Sequence, residues 1–519
     1  MKVSELPYKR VTIEEIKAVM DDVLARTRNA KSVDEILAAR EDYLKLLCDY
    51  RTAESLSYMR YSINTVDEFY VAEKDYYDEI GPEAENYMVQ YASTLLDSPF
   101  RAELEERLSP VLFKHLEVSR KSMSPEIIDD LVEENKLVSE YSKLMASLEF
   151  EFRGETLPRA MLMKYAKSDD RETRREAYEV LGKVLKEHSA ELDDIYDRMV
   201  HVRDRMAKKM GYKNYVELGY HRMGRIDYDQ DKVKTFRENV LNDIVPVVSR
   251  LRTENAKRLG IDDYKLYDND AFDVDSRKNK WGGGYCTEFP KYKQPFILAN
   301  FNGTAGDVDV MTHEAGHALN AYLIADNRFA LEIGCGGMET AETHSMSMEF
   351  FAWPYMDKFF GADAAKYRFA HALDALSFIP YGTIVDAFQH IVYENPDMTP
   401  AERKAAWLEL EHQYRPHISM DGMTYLEEGT RWQYQMHIYE SPFYYIDYCL
   451  AQTAAFDFLL ASQEDYDDAF ARYIRLSKQG GEKLWTDLLP EAGFRSPFTP
   501  GALKELAEKV EALLEKIKV

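Results

Sequence analysis

The run Asp309-Val310-Met311-Thr312-His313-Glu314-Ala315-Gly316-His317-Ala318-Leu319-Asn320 sets two imidazoles four residues apart, with a carboxylate beside the first. Val308, Met311, Ala315, Ala318 and Tyr322 recur at helical spacing, so the segment reads as a helix with His313 and His317 together on a different face. Side chains at i and i+4 have Cβ atoms about 5–6 Å apart, which suits two bonds of about 2.0–2.1 Å converging on one zinc ion. Glu314 points to the side of such an ion, where a carboxylate can hold a water and act as a general base without taking a coordination position. A chance His-Glu-x-x-His is expected roughly 0.03 times in a chain of this size and histidine content. A helix bearing two surface histidines is the plain alternative.

Catalytic zinc commonly takes two histidines and one carboxylate and keeps a position for water. Glu339, Glu342 and Glu349 lie on one helical stripe of the segment Glu339 to Glu349, and three carboxylates facing one way repel unless a cation or hydrogen-bond donors neutralise them. A solvated acidic face is the other reading, and His344 lies off the stripe as a structural or groove residue. Cleaving an amide also requires donors for the negative oxygen that develops on the carbonyl, each contributing on the order of 3–4 kcal/mol. The segment His437-Ile438-Tyr439-Glu440-Ser441-Pro442-Phe443-Tyr444-Tyr445-Ile446-Asp447-Tyr448 offers one histidine and four tyrosines within a few turns. A tyrosine hydroxyl or a protonated imidazole can donate there. A tyrosine-rich core helix end would look similar.

His313-Glu314-Ala315-Gly316-His317, followed by Glu342 in Ala341-Glu342-Thr343-His344-Ser345, resembles the zinc signature of the thimet oligopeptidase and oligoendopeptidase F family. Gly211-Tyr212-Lys213-Asn214-Tyr215, Tyr264-Lys265-Leu266-Tyr267-Asp268, Gly284-Tyr285-Cys286 and Phe296-Ile297-Leu298-Ala299-Asn300-Phe301-Asn302-Gly303 resemble segments of its oligoendopeptidase branch. The resemblance is strongest to Pz-peptidase-like members and covers roughly residues 200 to 460. It implies that Glu342 is the third ligand and that Glu349 sits behind the ligands, accepting an imidazole N–H. It implies that Leu298, Ala299 and Asn300 offer backbone to an extended peptide. It also implies that His437 and Tyr448 face the substrate, with Tyr444, Tyr445 or Tyr439 as the further tyrosine. The family fold it implies is a mainly α, two-lobed helical zincin with a deep central channel and a small β-sheet next to the zinc helix.

The elements that must position these groups agree with that fold class. Gly (24) and Pro (18) are scarce in the 519 residues, which favours long helices over turn-rich β architecture. Apolar residues recur at helical spacing from Ile13 to about Phe150, with Ser32 and Asp34 as candidate caps, and again from Met161 to Leu259. Trp281-Gly282-Gly283-Gly284-Tyr285 reads as a turn, and Phe296 to Phe301 as a short buried strand, the one convincing strand region. The expected division is an N-terminal helical region over 1–165, forming part of the channel wall, and a catalytic domain over 166–519.

Composition bounds the partners. With 66 Lys+Arg against 92 Asp+Glu, the net charge of −26 argues against a nucleic-acid surface. Four widely spaced cysteines, Cys48, Cys286, Cys335 and Cys449, fit a reducing compartment. The N-terminus lacks an apolar signal region, and no run of about 18 apolar residues could span a bilayer. A cytoplasmic enzyme with no membrane or obligate protein partner is expected. Its expected activity is zinc-dependent endopeptidase cleavage of short oligopeptides with one Zn²⁺. A helical zinc carboxypeptidase and a silent peptide-binding protein are the alternatives.

Overall fold

Capping residues in the sequence define where the first helices begin. Thr12 accepts the Glu15 N–H while Glu15 accepts the Thr12 N–H, a reciprocal capping box that starts the helix Ile13–Asn29. Ser32, one of the two expected caps, accepts the Glu35 N–H and opens the 31-residue helix Val33–Ile63. With Glu68–Leu96, these helices bury Ile16, Met20, Ile36, Leu47, Tyr91 and Leu95 in an N-terminal core. A second, larger core holds Leu192, Ile195, Met199, Val248, Phe388, Trp432, Ile446 and Phe456. Each such side chain removed from water contributes about 1.5–3 kcal/mol. The computed structural model describes residues 3–168, 170–258, 280, 284–301, 303–420 and 422–517. The segment Tyr264 to Asp268, Trp281 to Gly283 and Asn302 lie outside the described residues.

The chain is mainly helical, as expected, with two small antiparallel two-stranded sheets among the described residues. Strands β1 (Phe150–Phe152) and β2 (Glu155–Leu157) form a hairpin that the sequence reading missed. Its signal was Arg153-Gly154: both take positive φ, 51° and 86°, as a two-residue hairpin turn requires. Strands β3 (Tyr285–Phe289) and β4 (Gln294–Leu298) pair from Phe289↔Gln294 to Tyr285↔Leu298. The expected strand at Phe296 to Phe301 is therefore shifted toward the N-terminus. The tight turn at Pro290 to Lys293 fixes where pairing starts, whereas an apolar run alone does not.

The helix Gly306–Ile324 carries both histidines and packs on the helix Met338–Phe351, which carries the glutamates. The apolar stripe of the first helix is not its buried face, since Met311 is 44% and Tyr322 70% exposed. The buried positions are Gly306, Val310, Glu314, Gly316, Asn320 and Ile324. Gly316 explains this arrangement. A Cβ there would lie 2.6 Å from the His344 carbonyl oxygen and 2.6 Å from the Ser345 Cα, so only glycine lets the two backbones approach this closely. Gly316→Ala should therefore force the helices apart and lower stability by about 1–3 kcal/mol. Denaturant unfolding checks this, and an unchanged midpoint would show that the contact can relax.

Candidate metal centre

The two helices bring His313, His317 and Glu342 together, and their ligand atoms lie within 4.8 Å of one another. His313 Nε2 lies 3.3 Å and His317 Nε2 3.5 Å from Glu342 Oε2. The two rings are nearly perpendicular, with centroids 5.0 Å apart. Burial by itself would raise the Glu342 carboxyl, but His317 and His313 outweigh it and hold Glu342 well below the usual carboxylate range. Two imidazole nitrogens and a buried carboxylate oxygen aimed at one point are a donor set for a single borderline-soft cation, and they fit zinc. His313, His317 and Glu342 would hold it.

The three carboxylates of the stripe go to three different places. Glu342 Oε2 faces the histidines and accepts the Ser345 hydroxyl at 3.0 Å, while Glu342 Oε1 accepts the Tyr444 hydroxyl. Glu349 Oε1 accepts His313 Nδ1–H at 2.7 Å and Glu349 Oε2 lies 2.8 Å from His371 Nε2. Glu339 turns away to Tyr228, whose hydroxyl lies 3.2 Å from Glu339 Oε2 and donates to Asp447 Oδ1 at 2.6 Å. Burial, with Asp447 and Asp227 nearby, pushes the Glu339 carboxyl up to about 8. Facing Tyr228, it stands apart from the ligand set. His344 is buried, and its backbone carbonyl accepts the Tyr473 hydroxyl at 3.0 Å.

Glu314 is 5% exposed, and its Oε2 has no hydrogen-bond partner among the described residues. Burial raises its carboxyl, opposed by His313 and His317. Gly284, at the start of β3, lies beside it: a Cβ at Gly284 would sit 3.6 Å from Glu314 Oε1 and 3.6 Å from the Leu298 carbonyl oxygen. The end of the β3/β4 ladder thus lies next to the carboxylate. Leu298, Ala299 and Asn300 are themselves buried, and the Ala299 carbonyl accepts Lys280 Nζ.

The tyrosine segment approaches from the other side. Helices Met436–Glu440 and Tyr445–Glu464 are joined by a turn in which Phe443 takes φ 67°. This conformation is held because Phe443 N–H donates to Gln389 Oε1 at 2.9 Å and the Phe443 carbonyl accepts the Arg225 guanidinium. Arg225 also pairs with Asp447 at 2.9 Å, both side chains being buried. The turn aims Tyr444 at Glu342, with the Tyr448 ring tilted beside it at 4.8 Å and 37°. Tyr445 packs behind, against His437 at 4.9 Å and Phe378 at 5.6 Å.

Tyr439 is a correction: it is fully buried, stacked on Tyr141 at 3.9 Å, and its hydroxyl donates to the Leu192 carbonyl. It is a core residue because the short helix turns it inward, opposite His437. The expected protonated imidazole is corrected as well. Burial pushes His437 down to about 4, against the pull of Glu342, so the ring is neutral near pH 7. Gln435 Nε2 donates to His437 Nδ1 at 2.9 Å, and Tyr381 donates to Gln435 Oε1 at 2.6 Å. With Nδ1 accepting, the ring proton is on Nε2, and neutral His437 remains a donor.

Gln435, Tyr381, Arg225 and His371 are positioning groups that sequence reasoning did not single out. Only Gln435, two residues before His437, had a local signal.

A model of the Peptidase M3 N-terminal domain matches residues 3–123, and a model of peptidase family M3 matches residues 164–271 and 269–508. The solved structure of PZ peptidase A with inhibitor 2 aligns at a TM-score of 0.95 and 40% identity, covering 100% of both chains. The solved structure of a protein assigned as oligoendopeptidase F aligns at a TM-score of 0.96 and 41% identity, covering 100% of this chain and 99% of that one. Oligopeptidase PepF of Bacillus subtilis (strain 168) is 24% identical over 264 residues, which is 48% of this chain and 38% of that protein's length.

Proposed function

Since this chain belongs to peptidase family M3, we propose that it is a zinc-dependent endopeptidase that cuts short oligopeptides at internal bonds. The observation that carries the reading is the convergence of His313, His317 and Glu342 on one point with the unpartnered Oε2 of Glu314 close by. When bound, zinc supplies Lewis acidity, which makes water more acidic and polarises a carbonyl. Glu314 Oε2 takes the proton of the water that attacks the scissile carbonyl carbon. As the C–N bond breaks, Glu314 returns that proton to the leaving amine nitrogen. His437 donates from Nε2–H, and Tyr448 from its hydroxyl, to the oxygen on which negative charge develops. Tyr444 acts through Glu342, whose Oε1 its hydroxyl holds. Tyr445 acts through His437, by packing against the ring.

The end of the β-ladder beside Gly284 and Leu298, next to Glu314, supports a site for extended substrate backbone. The expected division near residue 165, with the N-terminal helices as channel wall and the remainder catalytic, draws support from the separate core of Val11 to Phe113, while Met123, Leu131 and Tyr141 already pack in the larger core. Free Cys48, Cys286, Cys335 and Cys449 support a reducing, cytoplasmic setting. Among the described residues no helix is long and apolar enough to cross a membrane. Short peptides are the expected partners.

Metal analysis of the purified chain, followed by mass spectrometry of the products from a mixed peptide library, tests the reading. One zinc per chain and internal cuts are expected. Peptides with amidated C-termini should be cut as fast as free acids. Loss of cleavage on amidation would instead indicate a carboxypeptidase, and peptide binding without products a silent site.

A further inference from the structure

Behind the ligands, a chain of hydrogen bonds runs from Trp353 to His313. Trp353 Nε1 lies 2.9 Å from His371 Nδ1, with both residues buried. An indole N–H only donates, so His371 Nδ1 must present its lone pair, and the proton of the neutral ring is on Nε2. That Nε2–H points at Glu349 Oε2, 2.8 Å away. Glu349 Oε1, 2.7 Å from His313 Nδ1, therefore accepts the imidazole N–H, which leaves the His313 Nε2 lone pair facing Glu342 Oε2.

The ring of His371 has little freedom to turn. Tyr367, one helical turn earlier on Ala364–Glu394, stacks on it at 5.5 Å and 13°, and Phe350 lies 5.0 Å away. The Tyr367 hydroxyl in turn donates to Asp309, one turn before His313 on the histidine helix. The helix Ala364–Glu394 is thus fastened to the histidine helix twice, once through Asp309 and once through Glu349.

We propose that Trp353 and His371 are positioning residues that set the tautomer and direction of the His313 imidazole, relayed through Glu349, so that its Nε2 lone pair is ready for the metal. The donor-only indole at one end gives the relay its direction. Without it, His371 could turn or change tautomer, and Glu349 would lose a fixed donor on one oxygen. The proposal rests on the zinc reading above, but its readout is metal affinity and does not depend on peptide cleavage.

Zinc dissociation constants of the full chain, measured by competition with a chelator, test it, together with unfolding of each metal-free protein. Trp353→Phe removes the N–H together with the five-membered part of the indole, so its zinc affinity is read against its own metal-free stability; zinc binding should weaken about tenfold, more than that loss of packing alone explains. His371→Phe should weaken it about 10- to 100-fold, the usual cost of removing a partner behind a metal ligand. His371→Gln should bind within a few-fold of wild type, because its Oε1 can accept from Trp353 while its Nε2 donates to Glu349. A purely structural role predicts instead that affinity follows metal-free stability and that Gln does no better than Phe. Wild-type affinity in Trp353→Phe, or equal losses in the Gln and Phe variants, overturns the relay. If His371→Phe does not fold, the other two variants decide. Failure of the wild type to bind zinc overturns both the relay and the metal reading, which separates the two failures.

Discussion

Glu314→Gln is expected to lower peptide hydrolysis by about 10³-fold, within the usual range for a general acid–base group, while zinc content stays at the wild-type value. The amide has the shape of the carboxyl, so the space beside Gly284 and Val310 remains filled. It cannot accept a proton from water. The native Oε2 has no partner among the described residues, so the substitution breaks no hydrogen bond there at that atom, and His313, His317 and Glu342 keep their arrangement. Steady-state cleavage of a peptide with a separated reporter pair, alongside metal analysis of the same preparation, measures both quantities. Full activity in the metal-loaded variant would remove Glu314 as the base, and a parallel loss of zinc would make it a metal-site residue.

The second large effect concerns which carboxylate holds the metal. Glu342→Ala should weaken zinc binding by about a hundredfold or more, whereas Glu339→Ala should leave it within a few-fold of wild type. Structural zinc sites with four ligands bind with about 10–16 kcal/mol, so one ligand accounts for roughly 3 kcal/mol, or about two orders of magnitude in affinity. Removing the Glu342 carboxylate also takes away the acceptor of the Tyr444 hydroxyl, while the Ser345 hydroxyl keeps the Glu342 backbone carbonyl. Glu339 lies three residues earlier on the same helix, but it answers to Tyr228 and sits near Asp447. Its removal should change stability and leave the ligand set intact. Chelator competition on both variants gives the ranking, and the reverse order would reassign the third ligand.

His313 and His317 were legible because one helix carries both, and a four-residue spacing fixes their relation whatever surrounds it. Glu342, Glu339 and Glu349 were not distinguishable by spacing, since all three share a stripe. Only the resemblance to a family selected Glu342. The structure sends them to a histidine pair, a tyrosine and a second histidine, because that stripe is wide enough to face three different neighbours along the helix. Tyr439 shows the converse. Its neighbours in sequence are site residues, yet a single short helix separates it from His437 and buries it against Tyr141.

Local pattern is enough for the helical class and for the paired imidazoles with their adjacent carboxylate, because these depend on contacts within one or two helical turns. Tertiary structure alone decided which carboxylate meets the histidines, which tyrosine meets that carboxylate, and that His437 is neutral. Those outcomes depend on groups far apart in the chain: Tyr444 with Glu342, Arg225 with Phe443 and Asp447, and His371 with Glu349. Burial and hydrogen-bond direction at such meetings are properties of packing, and no local pattern of residues encodes them.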